Sequence, residues 1–453
     1  MVDTFFSVID PPHTMCRMSE QRTITSVAVI GCGTMGAGIA AASAAAGCRV
    51  LMLDLTPEAV ERGLSLVEPD DRHLIDTGTI DADLAKIAEY DWVCEAIVED
   101  LDVKRDLFRR VETVRRTGSV VSSNTSGIPL RSITEGMPQS LRADIAITHF
   151  FNPVKVMKLF ELVPGAETTD AVVDAFASFG ANELSKGVVH AKDTVNFIGN
   201  RIGCYFMLAG LHRAKPYLAD GMSQETIDAV LGPLVGLPPT GLYGLIDLIG
   251  LDVMDLVGKN LAVNLPDGDA GHAFTSFPDA EQRMLERGQL GRKARDKGGF
   301  GRVLKSDDGS KSKETFDLVK ELWRAPSAPD LDGVPTELGD VVFHDSPQGR
   351  LAWDLFADTL LYAASLVPEI ADDIANVDNA IRWGFNWKKG PFEMLDHLGP
   401  ARVRERLEAE GRVAPSMLAV LAREGGETFY RETADGRAML MPDGSVQPVP
   451  ATH

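Results

Sequence analysis

Apolar, β-branched runs recur through the first third of the chain, each followed by a longer segment with helical spacing. The first is SVAVI (26–30), and CRVLMLD (48–54), YDWVCEAI (90–97), SVVSSN (119–124) and IAITHF (145–150) continue the series. Continuous apolar runs of this length read as strands buried on both faces, the signature of a parallel sheet. The segment after the first run, AGIAAASAAAG, is a strong helix former whose small side chains let it lie close to a sheet. This alternation predicts an α/β Rossmann-type doubly wound parallel sheet over residues 23–193. After the Asn152-Pro153 turn, KLFELV (158–163) reads as a strand returning toward the sheet.

Beyond this point the pattern is helical only. NFIGNRIGCYFMLAGLHRAKPYLADG has no strand companions, which predicts an all-α domain over 194–302. WRAPSAPDLDGVPTELGD (323–340) is rich in Pro and Asp and marks a linker, expected over 303–346. A second all-α domain is expected over 347–430, then a tail over 431–453; residues 1–22 form an N-terminal extension. The two helical domains are an internal repeat with a period of about 149 positions, too long for a solenoid. Both run from a Gly-(Asn)-Arg start to a Pro/Gly turn, and end in Leu245/Asp247/Gly250 and Met394/Asp396/Gly399.

Charge and cysteines narrow the class. A net charge of −21 over 453 residues opposes nucleic acid and anionic membrane surfaces as partners. The five cysteines are scattered, with no C-x-x-C pair, so neither a disulfide framework nor a metal site is expected. That usage fits a reducing, cytoplasmic setting. No apolar run approaches the ~20 residues of a membrane helix.

Gly31-x-Gly33-x-x-Gly36 lies between a predicted strand and a predicted helix. In that context Gly31 permits a tight turn, Gly33 lets backbone approach a diphosphate, and Gly36 brings helix and strand together. Gly31, Gly33, Thr34, Met35 and Gly36 are thus candidate cofactor-binding positions. Asp54 ends the next strand, where a carboxylate accepts the ribose hydroxyls of NAD and repels the extra phosphate of NADP. A glycine-rich structural turn and an FAD site are the rival readings.

Oxidising an alcohol with NAD needs a base for the hydroxyl proton and donors for the oxygen. His149 ends a predicted strand at the edge where open α/β sheets bind ligands. The returning strand carries Glu161, placed to come beside the imidazole and fix its tautomer. A structural histidine is the alternative on position alone.

SSNTSG (122–127), HFFNP (149–153), M-K-L-x-E (157–161) and KDTVNFIGNR (192–201), with VIGCGTMGAGIA (29–40) and EAIVEDLDVK (95–104), together resemble the L-3-hydroxyacyl-CoA dehydrogenase family. The resemblance runs through most of 26–302, and the tandem helical part is similar to the dehydrogenase portion of bacterial multifunctional fatty-acid oxidation proteins. It implies NAD-dependent oxidation of an L-3-hydroxyacyl-CoA to the 3-oxoacyl-CoA, as in fatty-acid β-oxidation. His149 would be the base, Glu161 its orienting carboxylate, and Ser126 and Asn200 the groups holding the 3-oxygen. Glu99 and Lys104 would contact NAD, Asn152 would lie near the nicotinamide, and Lys293 would be a late basic contact. An acyl-CoA substrate and a hydratase or thiolase partner follow from the same resemblance.

The chain also departs from the family. The interval between Asp54 and Tyr90 is too short for the long charged hairpin that grips CoA in the family, and its charges are mainly acidic. The second helical copy keeps Lys389-Gly390-Pro391-Phe392-Glu393, but Gly349-Arg350 lacks the preceding asparagine. Only the first copy is therefore expected to serve the site. The second is expected to pack on it as a partner subunit would, so the chain is expected as a homodimer or an internally paired monomer. Two other classes stand beside this reading: an NAD-dependent dehydrogenase of a small hydroxy acid without CoA, and a catalytically silent structural homologue.

Overall fold

The computed structural model describes residues 22–306 and 309–450. The expected N-terminal extension, apart from Arg22, lies outside the described residues, as does Cys16. Eight strands build one sheet in the order β3-β2-β1-β4-β5-β6-β7-β8. They are β1 (Ser26–Ile30), β2 (Arg49–Asp54), β3 (Ile75–Thr79), β4 (Trp92–Glu95), β5 (Val120–Ser123), β6 (Ile145–Phe150), β7 (Leu159–Pro164) and β8 (Gly187–His190). All neighbours pair in parallel except β6 and β7. The central strands are buried along their whole length, as their unbroken apolar runs require.

Two of these strands, β3 and β8, carry no apolar run that would announce them. β3 (IDTGT) is an edge strand of intermediate to exposed residues, held by its ladder to β2 rather than by a buried face. Between Asp54 and β4 the chain forms only a helix Pro57–Ser65, short 3₁₀ and helical turns and β3. A long hairpin is absent from this interval.

The helical part starts with Gly199–Ala219, the core rod of the first copy, buried on nearly all sides over its first half. Its partner in the second copy is the segment Ala352–Ser365. Arg201 crosses between them, donating to the Tyr362 hydroxyl at 2.8 Å and pairing with Asp269 at 2.6 Å and Glu369 at 3.1 Å. The Tyr205 and Tyr362 rings stack 3.8 Å apart, and the Tyr205 hydroxyl donates to Asp358.

The duplication reaches further than the sequence pattern shows. In the first copy Asp228 accepts from the N–H groups of Leu242, Tyr243 and Gly244; in the second, Asp378 accepts from Phe392 and Glu393. Asp247 then accepts from Phe300 and Gly301, and Asp396 from Phe429 and Tyr430. Each copy closes with a three-stranded antiparallel sheet: β9 (Gly301–Lys305), β10 (Lys311–Asp317) and β11 (Leu322–Arg324), then β12 (Tyr430–Thr433), β13 (Gly436–Leu440) and β14 (Val446–Pro448). The first part of the interval expected as a linker, and part of the expected tail, therefore contain strands. The charged wording KSKETFD conceals β10, whose fixed point is Phe316 packed edge-on against Trp323 at 5.2 Å. No helix among the described residues is long and apolar enough to cross a membrane.

Candidate active site

Strand register gathers the loops that matter. Ile30 pairs with Glu95, Glu95 with Ser123, and Ser123 with Ile147. The chain therefore leaves β1, β4, β5 and β6 along one edge, carrying GCGTMG, Ala96–Glu99, Asn124–Gly127 and His149–Asn152. That C-terminal edge is where open parallel sheets bind ligands.

The glycine turn fits a dinucleotide. Gly31 has φ +102°, and a Cβ there would sit 2.4 Å from the Ala96 carbonyl oxygen. A Cβ on Gly36 would sit 1.8 Å from the Gly31 oxygen, so only glycine lets helix Thr34–Ala45 lie this close to β1. A Cβ on Gly33 would meet nothing within 4 Å, which is the open space a diphosphate needs. The helix begins at Thr34 with no side-chain cap and no acidic residue in its first turn. Thr34 and Met35 thus present the start of an uncapped helix, whose N–H groups and dipole favour an anion. Asp54 accepts from the N–H groups of Cys32 and Leu55, each at 2.6 Å, which fixes the carboxylate at the end of β2. Burial, and then Asp54, push the neighbouring Cys32 thiol up to about 12, so it is inert here.

His149 and Glu161 stand directly opposite each other on antiparallel strands, and Nδ1 lies 2.7 Å from Oε2. The other oxygen, Oε1, accepts from the N–H groups of Ile198 at 3.1 Å and Gly199 at 2.7 Å. The carboxylate thus joins the histidine to the start of helix Gly199–Ala219. Two left-handed residues, Asn196 (φ 58°) and Phe197 (φ 50°), turn the chain into that helix. The imidazole is flanked by the rings of Phe151 at 4.7 Å and Phe197 at 5.6 Å, and is only 3% exposed. Nδ1 is the ring nitrogen placed to donate to the carboxylate, so Nε2 is the one directed to other partners.

The remaining candidates divide. Ser126 and Asn152 are exposed on the same edge, with a cis peptide joining Asn152 to Pro153. Asn200 is partly buried and follows the Gly199 N–H that binds Glu161. Glu99 accepts from the Thr125 hydroxyl at 2.6 Å and the Ser126 N–H at 2.9 Å, bracing the SSNTSG loop, and is 45% exposed. Lys104, expected to contact NAD, is instead buried beneath that loop. Its Nζ lies 2.7 Å from Glu95 and 3.2 Å from Glu99. Lys293 pairs with Asp252 beside Gly250, at the start of helix Leu251–Asn264. Among the described residues its ion pair is with Asp252 of the helical domain.

Several participants were not singled out in the sequence, although Glu95 and Asn124 lie within the motifs EAIVEDLDVK and SSNTSG. Glu95 accepts from Lys104, the Ser123 hydroxyl and the Ile97 N–H. Asn260 donates to Asn196 at 3.2 Å, and a Cβ on Gly127 would fall within 2.7 Å of both side chains. That contact ties the SSNTSG loop to the helical domain. Asn124 holds the His149 strand by accepting from the Phe150 N–H at 2.9 Å. A cavity of about 690 Å³ lies elsewhere, at the seam of the two copies, where Tyr217, Ser223, Asp330, Arg350 and Asp354 line it.

A dinucleotide-type sheet joined to a helical domain, with a His–Glu pair at the junction, defines the two-part dehydrogenases that use a nicotinamide cofactor. Residues 26–194 match the NAD binding domain of 3-hydroxyacyl-CoA dehydrogenase, and residues 197–299 match its C-terminal domain. The chain belongs to the 3-hydroxyacyl-CoA dehydrogenase family. It is 36% identical over 301 residues to a probable 3-hydroxyacyl-CoA dehydrogenase of Deinococcus radiodurans, covering 63% of this chain and 84% of that one. A probable 3-hydroxyacyl-CoA dehydrogenase of Bacillus subtilis is 36% identical over 443 residues, 90% of this chain and 55% of its own length. The chain spans about half the length of several curated relatives it matches. Among solved structures, the 3-hydroxybutyryl-CoA dehydrogenase of Escherichia coli shares the fold with a TM-score of 0.66 at 23% identity, over 88% of this chain and 98% of that one.

Proposed function

We propose that the chain oxidises the 3-hydroxyl group of an L-3-hydroxyacyl-CoA to the 3-oxoacyl-CoA, with NAD as hydride acceptor, in a β-oxidation type of sequence. The observation that carries this reading is the 2.7 Å pair between His149 Nδ1 and Glu161 Oε2 at the dinucleotide edge. The bound cofactor supplies the acceptor for the C3 hydride. His149 Nε2 takes the hydroxyl proton, and Glu161 stabilises the imidazolium that results. Ser126 and Asn200 hold the 3-oxygen, Asn152 supports the nicotinamide side, and Asp54 selects NAD over NADP. A hydratase that adds water across a 2-enoyl thioester would supply the substrate, and a thiolase would consume the product. A cytoplasmic setting fits the cysteine usage.

NADH formation with 3-hydroxybutyryl-CoA, longer 3-hydroxyacyl-CoAs and free 3-hydroxy acids tests the reading. Turnover of the thioesters is expected, together with a loss of about 10²–10⁴ in rate for His149→Gln. Near-normal turnover by that variant would refute the role given to His149. A second reading, a dehydrogenase of small hydroxy acids, is favoured by the short helix Pro57–Ser65 that stands in place of a CoA-gripping hairpin. Turnover of the free acids alone would select it.

A further inference from the structure

The second helical copy touches the strand that carries Glu161. Its helix Ile374–Gly384 packs against β7, β8 and helix Gly199–Ala219. Asn376 accepts from the His190 N–H at 2.8 Å, so this copy also covers the open edge of the sheet. Where that helix ends, the chain turns through Trp383, Gly384 and Phe385 into Asn386 at φ 55°. Three glycines mark how closely this turn presses on the first copy and the sheet. A Cβ on Gly187 would lie 2.3 Å from the Trp383 ring, and one on Gly203 would lie 1.9 Å from the Phe385 ring. A Cβ on Gly384 would lie 2.7 Å from Leu159 and 3.3 Å from Phe151.

Phe151 is the ring that flanks His149, and it is confined on several sides. A Cβ on Gly199 would come within 2.9 Å of its tip, Gly384 stands beside it, and the Phe385 ring meets it edge-on at 6.1 Å and 73°. Phe151 in turn sits 4.7 Å from the His149 ring. The Glu161 hydrogen bond fixes one ring nitrogen of His149 but leaves the tilt of the ring to its aromatic neighbours. Close-packed rings transmit such a constraint, because interiors yield little.

We infer that Phe385, contributed by the second helical copy, is a positioning residue for the His149 base, acting through Phe151. This rests on the proposed role of His149 and adds a reason for the duplication. The second copy does more than cover an apolar face: its ring sets the angle at which Nε2 meets the substrate hydroxyl.

Steady-state NADH formation by the full chain, using 3-hydroxybutyryl-CoA, tests this with His149→Gln, Phe385→Ala, Phe385→Leu, Phe151→Ala and the Phe151→Ala/Phe385→Ala double variant. Phe385→Ala is expected to lower kcat about tenfold to a hundredfold with the KM for NAD unchanged, since misplacing a base costs rate rather than cofactor binding. Phe385→Leu keeps apolar bulk and is expected to recover kcat to within about threefold of the wild type. In the Phe151→Ala background, removing Phe385 is expected to cost little more, because coupled neighbours are not additive. Wild-type kcat in folded Phe385→Ala, or a fully multiplicative double variant, would overturn the inference while leaving His149 in place. If Phe385→Ala does not fold, Phe385→Val, which also lacks the reach to Phe151, carries the test: a kcat lowered with the KM for NAD unchanged supports the inference, and a wild-type kcat in the folded variant would overturn it. An active His149→Gln would instead sink the reading on which it rests.

Discussion

Lys104 and Glu95 form an ion pair at 2.7 Å in which each side chain is 1% exposed. The pair lies under the loop that carries Ser126, and Glu99 links the two by binding both Lys104 and the Ser126 N–H. Lys104→Met would leave the Glu95 carboxylate buried with only the Ser123 hydroxyl and the Ile97 N–H. Breaking a buried pair from one side costs about 3–5 kcal/mol. Urea unfolding is expected to show that loss. A variant of wild-type stability with only a raised KM for NAD would return Lys104 to a direct contact.

Two glycines of one turn are expected to fail in different ways. Gly36→Ala drives a methyl group into backbone, the Gly31 carbonyl, and is expected to lower the melting temperature. Gly33→Ala meets no protein atom within 4 Å, so stability is expected to hold while the KM for NAD rises. Thermal melts with and without NAD separate the two.

Glu161→Gln keeps the shape that spans His149 and the Gly199 N–H but removes the charge. Folding is expected to survive, and kcat to fall by a factor on the order of 10⁴, since an amide holds the imidazole in the wrong tautomer. The check is kcat and circular dichroism on the same preparation.

Glu281 is 2% exposed, and burial raises its carboxyl from 4.5 to about 7, against the weaker pull of Lys215 and Arg283. Between those values the folded chain holds a proton that the unfolded chain releases, so stability falls as pH rises through that window. Glu281→Gln is expected to match the wild type near pH 4 and to exceed it near pH 8 by ~3 kcal/mol, because each tenfold change in proton affinity is worth about 1.4 kcal/mol. Melting temperatures at both ends of the range would test this; an equal difference at both would sink it.

The sheet was legible where burial wrote itself into unbroken apolar runs, as in SVAVI and IAITHF. It was hidden where strands depend on hydrogen bonding, as in the half-exposed IDTGT of β3 and the charged KSKETFD of β10. His149 and Glu161 could be paired in advance because a tight strand return leaves little choice of partner across the ladder. The burial of Lys104 depends on where Glu95 points, and the contact from Phe385 depends on how the two copies dock. Neither leaves a local pattern.

The paired carboxylates at Asp247 and Asp396 bear on how such a chain can be divided. Each anchors a small sheet to the helices before it. The first copy also holds the following strand of chain as far as Asp330, whose N–H donates to Thr226. Residues 331–337, which have neither helix nor strand, lie between the two latches. Halves severed there would each carry a complete latch, and would be suited to reassembly as two separately expressed fragments.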